Sequence, residues 1–129
     1  VLSQHPESGE LAYKAVVETT IRPSGLTIRV HCDGQTLETS GGHLFWVSGR
    51  GWVKTRDLVA GMQLHTPDGT IRINRLEDAT VQKTYNLVVD GFHTFFVGEK
   101  RILNNDNTVS EPTNSVVPGL SVGTARAVP

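Results

Sequence analysis

The sequence has one cysteine, one methionine and few aromatic residues. Because Cys32 has no second cysteine to pair with, an internal disulfide framework is excluded. No stretch approaches the roughly 18 consecutive apolar residues of a membrane-spanning helix. Lysine and arginine form no run or stripe, and the formal net charge is −1. We therefore expect neither a nucleic-acid partner nor a membrane partner.

The length of 129 residues is enough for one domain with a real core and hardly enough for two. The first residues, Val1–Pro6, have neither a charged segment nor an apolar segment of the kind found in signal peptides. They also lack an initiator methionine, so we expect a longer polypeptide that has been cut at its front. A secreted protein without disulfides is compatible with this composition, which leaves the compartment open. We expect a monomer.

Alternation of apolar and polar residues indicates β-structure through most of the chain. Residues Leu26, Ile28, Val30 and Cys32 alternate with polar residues, so they are predicted to share one face of a half-buried strand. The strand before it, over residues 11–22, is predicted to stop at Pro23-Ser24-Gly25. Hairpin turns are predicted at three places, Asp33-Gly34, Ser48–Gly51 and Pro67–Gly69.

Only residues 55–62 are predicted to be helical, with Thr55 as the N-terminal cap and Gly61 at the end. Beyond Thr108 the sequence has no aromatic residue and has Pro, Ser, Thr and Gly at frequent intervals. Such a segment has little to bury. The prediction is one compact all-β domain over residues 1–107, built of short twisted strands and hairpins with one short helical turn, followed by a disordered tail or linker over residues 108–129.

Two blocks of sequence place a histidine within a strand-like apolar run. The first is Ser40–Val47, which contains His43, and the second is Tyr85–Gly98, which contains His93. An asparagine-rich segment, Asn104–Thr108, follows the second block. Two histidines close to a reactive asparagine suggest rearrangement of the chain's own peptide bonds rather than hydrolysis of a foreign substrate.

The residue types fit that chemistry. Histidine gives or takes a proton near neutrality, so it can assist attack of a thiol or hydroxyl on a neighbouring carbonyl. The Ser40 hydroxyl is placed to orient His43 if the two glycines between them form a tight turn. An asparagine side chain can attack its own main-chain carbonyl, closing a succinimide and breaking the following peptide bond, with His93 as the assisting group. We expect the two imidazoles to surround one shared hollow beside the ends of the chain.

The ordered set of blocks resembles the Hint (Hedgehog/intein) family of self-processing domains. The residues within the blocks are most similar to those of the bacterial pretoxin-type members. The resemblance covers about residues 1–107. It runs through the Ser40–His43 block, the Gly51-Trp52-Val53 segment and the Tyr85–Val89 strand to the Ile102–Asn105 close. It implies an intein-like fold and protein splicing or self-cleavage, with the chain's own flanking segments as substrate and no cofactor. It also implies attachment to a larger secreted or surface polypeptide.

By this resemblance, Ser40 and His43 assist the upstream acyl shift, and His93 assists cleavage after Asn105 or Asn107. Thr108 is the downstream nucleophile if Asn107 is the terminal asparagine. The sequence departs from the family's pattern at its front, since the Cys or Ser nucleophile of the first block precedes the segment that matches Val1. We therefore expect the chain as printed to be inactive in splicing.

Two other interpretations remain open. One is a non-catalytic Hint-like module that serves as a linker or interaction unit, and the other is an unrelated β-barrel that binds a ligand. Without the surrounding blocks, a single histidine in an apolar strand is most often a buried structural residue. A metal site is not expected, because the five histidines and Cys32 have no close ligand spacing such as CxxC or HxxxH.

Overall fold

The computed structural model describes residues 1–106, so Asn107, Thr108 and the predicted tail over residues 108–129 lie outside the described part of the chain. Within it the chain forms a nearly all-β fold, which confirms the predicted fold class. The strands are β1 (Leu2–Gln4), β2 (Leu11–Tyr13), β3 (Val16–Cys32), β4 (Gln35–Ser40), β5 (Leu44–Val47), β6 (Gly51–Lys54), β7 (Gln63–Thr66), β8 (Gly69–Val89), β9 (Thr94–Val97) and β10 (Ile102–Asn105).

The strands form two antiparallel sheets. A small one pairs β1 with β2, and an eight-stranded one has the order β4-β3-β8-β7-β5-β10-β9, with β6 pairing to β5. This order places β10, the last strand of the described chain, between β5 and β9. Because His43 directly precedes β5 and His93 directly precedes β9, the topology brings both histidines beside β10.

The three predicted hairpin turns are confirmed. They join β3 to β4, β5 to β6 and β7 to β8, with the closing pairs Cys32↔Gln35, Val47↔Gly51 and Thr66↔Gly69. At the first turn Gly34 has a φ of 76°, the left-handed conformation that glycine adopts without a steric penalty. The turn residues of the sequence therefore set the strand connections around the site.

Two predictions for the first long strand are wrong in detail. β3 does not stop at Pro23 but runs through it to Cys32, with a shift of register against β8 between Arg22 and Gly25. Proline has no N–H to donate to the ladder, so an irregularity there is expected. A second shift lies between Leu26 and Ile28, and it turns Leu26 outward while Thr27 is buried. Ile28, Val30 and Cys32 do belong to the core, as predicted.

The predicted helix is reduced to a single 3-10 turn at Thr55–Asp57. Its N-terminal cap is Lys54, which makes no capping bond with its side chain, and not the predicted Thr55. The Thr55 hydroxyl instead donates to the carbonyl of His43. No helix among residues 1–106 has the length and apolar character needed to span a membrane.

Two groups of buried side chains hold the sheet together. The larger contains Val30, Cys32, Phe45, Val47, Leu58, Leu64, Ile71, Ile73 and Ile102. The smaller is built on Trp46, Trp52 and Leu103, with the two indole rings in an edge-to-face contact at 5.4 Å. Ile102 and Leu103 of β10 lie in different groups because successive strand residues point to opposite faces. β10 is thus fixed on both faces by apolar packing just before the site residues begin.

Candidate functional site

The turn between β4 and β5 carries His43, and hydrogen bonds anchor it on both sides. The backbone N–H of His43 donates to the Ser40 carbonyl at 3.2 Å, closing the tight turn that the two glycines predict. The 3-10 turn at Thr55–Asp57 holds the other side of His43. The backbone N–H and the hydroxyl of Thr55 each donate to the His43 carbonyl at 2.8 Å. Arg56 N–H donates to the carbonyl of Gly41 at 3.0 Å. The position of the His43 backbone is therefore fixed before its ring makes any contact.

The ring of His43 is bound to Asn104, a fully buried residue of β10. His43 Nε2 and Asn104 Oδ1 are 2.5 Å apart, while Asn104 Nδ2 donates to the carbonyls of Ile102 at 2.8 Å and Phe95 at 3.4 Å. Because both amide hydrogens are used in this way, Oδ1 is the acceptor and Nε2 carries the ring proton. In the neutral ring, Nδ1 then holds the lone pair, and it has no hydrogen-bond partner among residues 1–106.

Burial keeps His43 neutral. Desolvation lowers its pKa from the ordinary 6.5, and the hydrogen bond to Asn104 opposes this with a smaller effect. The ring also packs edge-on against two phenylalanines, with centroid distances of 5.3 Å to Phe45 and 6.4 Å to Phe95. A neutral imidazole with a fixed Nε2–H can act as a base through Nδ1 at neutral pH.

A cavity of about 630 Å³ lies beside this ring. It is bounded by the Ser40–His43 turn, by Asn104, and by the projecting parts of β3 and β8 at residues 20–22 and 82–86. Ser40 and His43 both line this cavity. His93 is not among the residues that line this cavity.

His93 lies directly before β9, and its ring contacts Asp106, the residue that follows β10. It has a φ of 57°, which is unusual for a residue other than glycine. Its ring Nδ1 is 3.1 Å from Asp106 Oδ2, and its carbonyl accepts the Asp106 N–H at 2.9 Å. The same carboxylate oxygen accepts the backbone N–H of Val89 at 2.7 Å. Because the carboxylate can only accept when it is ionised, His93 Nδ1 carries a proton in this contact.

The asparagine-rich close of the chain is divided between two faces. Asn105 pairs with Thr94 across β9 and β10 and is half-buried. Its neighbours Asn104 and Asp106 point to the opposite face and bind His43 and His93 respectively. The structure therefore brings Ser40 with His43, and it brings His93 to the residue that follows Asn105. The predicted residues Asn107 and Thr108 lie outside the described part of the chain.

Sequence reasoning missed three residues of the site, namely Asn104, Asp106 and Thr55. A signal for the first two was present, because residues two apart on a strand share a face and both flank the predicted Asn105. No local pattern indicates the contact of Thr55 with His43, since it depends on how the 3-10 turn packs under β5.

Cys32 is not a candidate nucleophile. It is buried, and burial together with the nearby Asp33 carboxylate raises its thiol pKa to about 11, so the reactive thiolate is scarce at neutral pH. Within residues 1–106 no group of three or more His, Cys, Asp or Glu side chains could hold a metal ion.

Comparisons with known proteins agree with this architecture. The family model described as the pretoxin HINT domain matches residues 1–111. Among solved structures, a bacterial intein-like domain from Clostridium thermocellum is 29% identical, with a TM-score of 0.76 over 81% of this chain and 79% of that one. No curated protein is similar enough to count as a match.

Two inteins share the fold at lower identity. The DnaB intein from Synechocystis sp. PCC 6803 is 16% identical, with a TM-score of 0.72 over 84% of this chain and 78% of that one. The DnaX mini intein from Spirulina platensis is 17% identical, with a TM-score of 0.67 over 82% of this chain and 77% of that one.

Proposed function

The chain belongs to the pretoxin HINT domain family, and we propose that it processes its own polypeptide, with two separate histidine sites for the two ends of the domain. The observation that carries the proposal is the position of β10 between them. β10 presents Asn104 to His43, Asp106 directly after β10 contacts His93, and Asn105 lies between them. A strand that serves only as structure does not need buried polar side chains at both of these positions.

The upstream half of the reaction is assigned to the cavity beside His43. A peptide segment preceding the domain would enter there, with its nucleophilic thiol or hydroxyl near the ring. The neutral His43 takes the proton of the nucleophile as it attacks the carbonyl, and returns it to the departing amide nitrogen. The Ser40 hydroxyl lines the same cavity and is available to orient the scissile carbonyl.

The downstream half is assigned to the bond between Asn105 and Asp106. Asn104 is excluded as the cyclising residue, because all of its side-chain amide groups are held by His43, Ile102 and Phe95. Asn105 carries no such restraint on its side chain in the described structure, and its following peptide nitrogen, that of Asp106, already donates to the carbonyl of His93. This favours Asn105 over Asn107 as the terminal asparagine.

The test uses the full chain of 129 residues, since this downstream step requires no upstream nucleophile. We expect the chain to convert slowly into fragments 1–105 and 106–129. Intact-mass spectrometry measures this conversion over time. The larger fragment should be lighter by one water than its hydrolytic counterpart, because a succinimide closes its end. Asn105→Ala should abolish this cleavage, and the matched control Asn114→Ala, in the segment beyond residue 106, should leave it unchanged.

Other outcomes contradict the assignment. Cleavage that yields a fragment 1–107 would move the terminal residue to Asn107. A chain that stays intact over days, with the same result for every variant, would favour the non-catalytic module that serves as a linker or interaction unit.

A further inference from the structure

Asp106, the residue that follows Asn105, has a buried carboxylate with two hydrogen-bond donors. Cyclisation of Asn105 does not by itself require this carboxylate. We propose that Val89 and His93 form a carboxylate subsite that recognises the side chain of residue 106, so that Asp106 selects the bond to be broken. The inference rests on the proposed function. It adds that the downstream site recognises the carboxylate of the residue after the cleaved bond.

Burial is the first argument for a built subsite. The Asp106 side chain is 0% exposed, although it lies at the end of a strand and carries a charge. A buried carboxylate is unfavourable unless polar groups satisfy it. Here two donors converge on one oxygen, the Val89 N–H at 2.7 Å and His93 Nδ1 at 3.1 Å. Val89 is itself fully buried, so its N–H is shielded from water.

The geometry of the backbone is the second argument. Asp106 is bound to His93 twice, through its carboxylate to the ring and through its own N–H to the His93 carbonyl at 2.9 Å. The second contact involves the atom that leaves when the Asn105–Asp106 bond breaks. The side chain of Asp106 therefore fixes the leaving nitrogen beside His93, and the unusual left-handed backbone of His93 turns both its ring and its carbonyl towards that residue.

The chemical step balances without any co-reactant. The Nδ2 of Asn105 bonds to its own main-chain carbonyl carbon, and the bond from that carbon to the Asp106 nitrogen breaks. Nδ2 loses one proton and the Asp106 nitrogen gains one, which His93 can transfer. The products are a chain ending in a succinimide and a segment that begins with the free amine of Asp106. The carbonyl of His93 stabilises the positive charge that develops on this amine.

The subsite predicts a preference for a short acidic residue after the asparagine. Asparagine at position 106 keeps an acceptor for the Val89 N–H and loses the ion pair with His93. Alanine loses both contacts. Glutamate keeps the charge but adds a methylene group, which moves the carboxylate relative to the two donors. Asp106 is in this sense a positioning residue, because it acts on the reaction through His93 and through the place of its own nitrogen.

The experiment compares the rates at which the full chain and its variants are cleaved after Asn105, measured by intact mass. We expect Asp106→Asn to slow this cleavage about tenfold or more, and Asp106→Ala to slow it further. Asp68→Asn, at an exposed position in the turn between β7 and β8, is the matched control and should keep the wild-type rate. Thermal unfolding of each variant accompanies the rates. A wild-type rate for a folded Asp106→Ala chain would overturn the proposal.

A second measurement separates this inference from the proposed function. In ¹⁵N-labelled protein, the Val89 amide and the His93 ring nitrogens report directly on the subsite. Asp106→Asn should shift both, and Asp68→Asn should shift neither. If the wild-type chain is never cleaved but these resonances respond to Asp106→Asn, the processing assignment fails and the subsite stands. If the resonances of Val89 and His93 do not move, the subsite itself is wrong.

Discussion

The two histidines beside β10 are held in opposite ways. His43 is buried against a neutral amide, that of Asn104, in an environment that disfavours its charged form. The side chain of His93 is 45% exposed and faces a buried carboxylate, that of Asp106, with which it forms an ion pair when protonated. The same residue type therefore lies in two different environments, set by Asn104 on one side and Asp106 on the other.

This difference matches the two halves of the proposed reaction. Attack by an upstream thiol or hydroxyl needs a base first, and the neutral His43 with its unprotonated Nδ1 is suited to that role. Cyclisation of an asparagine needs a proton for the leaving nitrogen, and a histidine paired with a carboxylate is suited to giving one. Asn104 on β10 and Asp106 directly after it give the two rings different partners.

The largest expected effect separates the two sites by substitution. In a fusion that carries an upstream block with a Cys nucleophile, we expect His43→Ala to reduce upstream cleavage about thousandfold and to leave downstream cleavage within a small factor. His93→Ala should do the reverse. Both rates come from a time course of fragment masses, with His31→Ala as the reference, at a half-buried histidine whose ring contacts Thr36 and Glu77. Loss of both cleavages in either variant, with folding intact, would show that the sites are not independent.

A smaller effect is expected when His43 receives the kind of partner that His93 has. Asn104→Asp places a carboxylate against Nε2, which stabilises the imidazolium and should raise the pKa of His43. In the native chain burial lowers that pKa below the ordinary 6.5, so the neutral ring persists as the pH falls through 6.5. In the variant the neutral form should be lost at a higher pH.

We therefore expect upstream cleavage of the Asn104→Asp fusion to fall about tenfold at neutral pH and to recover as the pH rises. An NMR titration of the His43 ring provides the pKa independently of activity. Asn114→Asp adds the same charge beyond residue 106 and should change neither quantity. A His43 pKa unaffected by Asn104→Asp would mean that the buried contact does not control the ring.

Much of this arrangement could be predicted from the sequence, because its signals are local. Turn residues such as Asp33-Gly34 define the hairpins, and period-two alternation defines the strands. Strand length could not be predicted in the same way. The predicted break at Pro23 fails because β8 continues alongside and holds the chain extended through an irregularity of register. Pairing over a long distance in sequence outweighs a local signal to stop.

The site shows the same limit. The sequence indicates His43, His93 and Ser40 because they occur in recognisable blocks. The residues that bind the two histidine rings come from elsewhere in the chain. Asn104 is 61 residues from His43, and it meets the ring only because β10 inserts between β5 and β9. The burial that keeps His43 neutral is likewise a property of the assembled sheet. The sequence blocks indicate the candidate groups, and the assembled sheet determines their partners and the lowered pKa of His43.

The smallest expected effect concerns the backbone of His93. Its φ of 57° costs about 1 kcal/mol for a residue with a Cβ and almost nothing for glycine. We therefore expect His93→Gly to be more stable than His93→Ala by about 1 kcal/mol in urea unfolding, although both lose the ring. At Lys100, an exposed turn residue without a positive φ, the order should reverse, with alanine at least as stable as glycine.

Equal stabilities of the two His93 variants would mean that this backbone relaxes once the ring is gone. The contact with Asp106 would then create the left-handed conformation, and the His93 site would be shaped by its partner, whereas the His43 site is fixed by its turn.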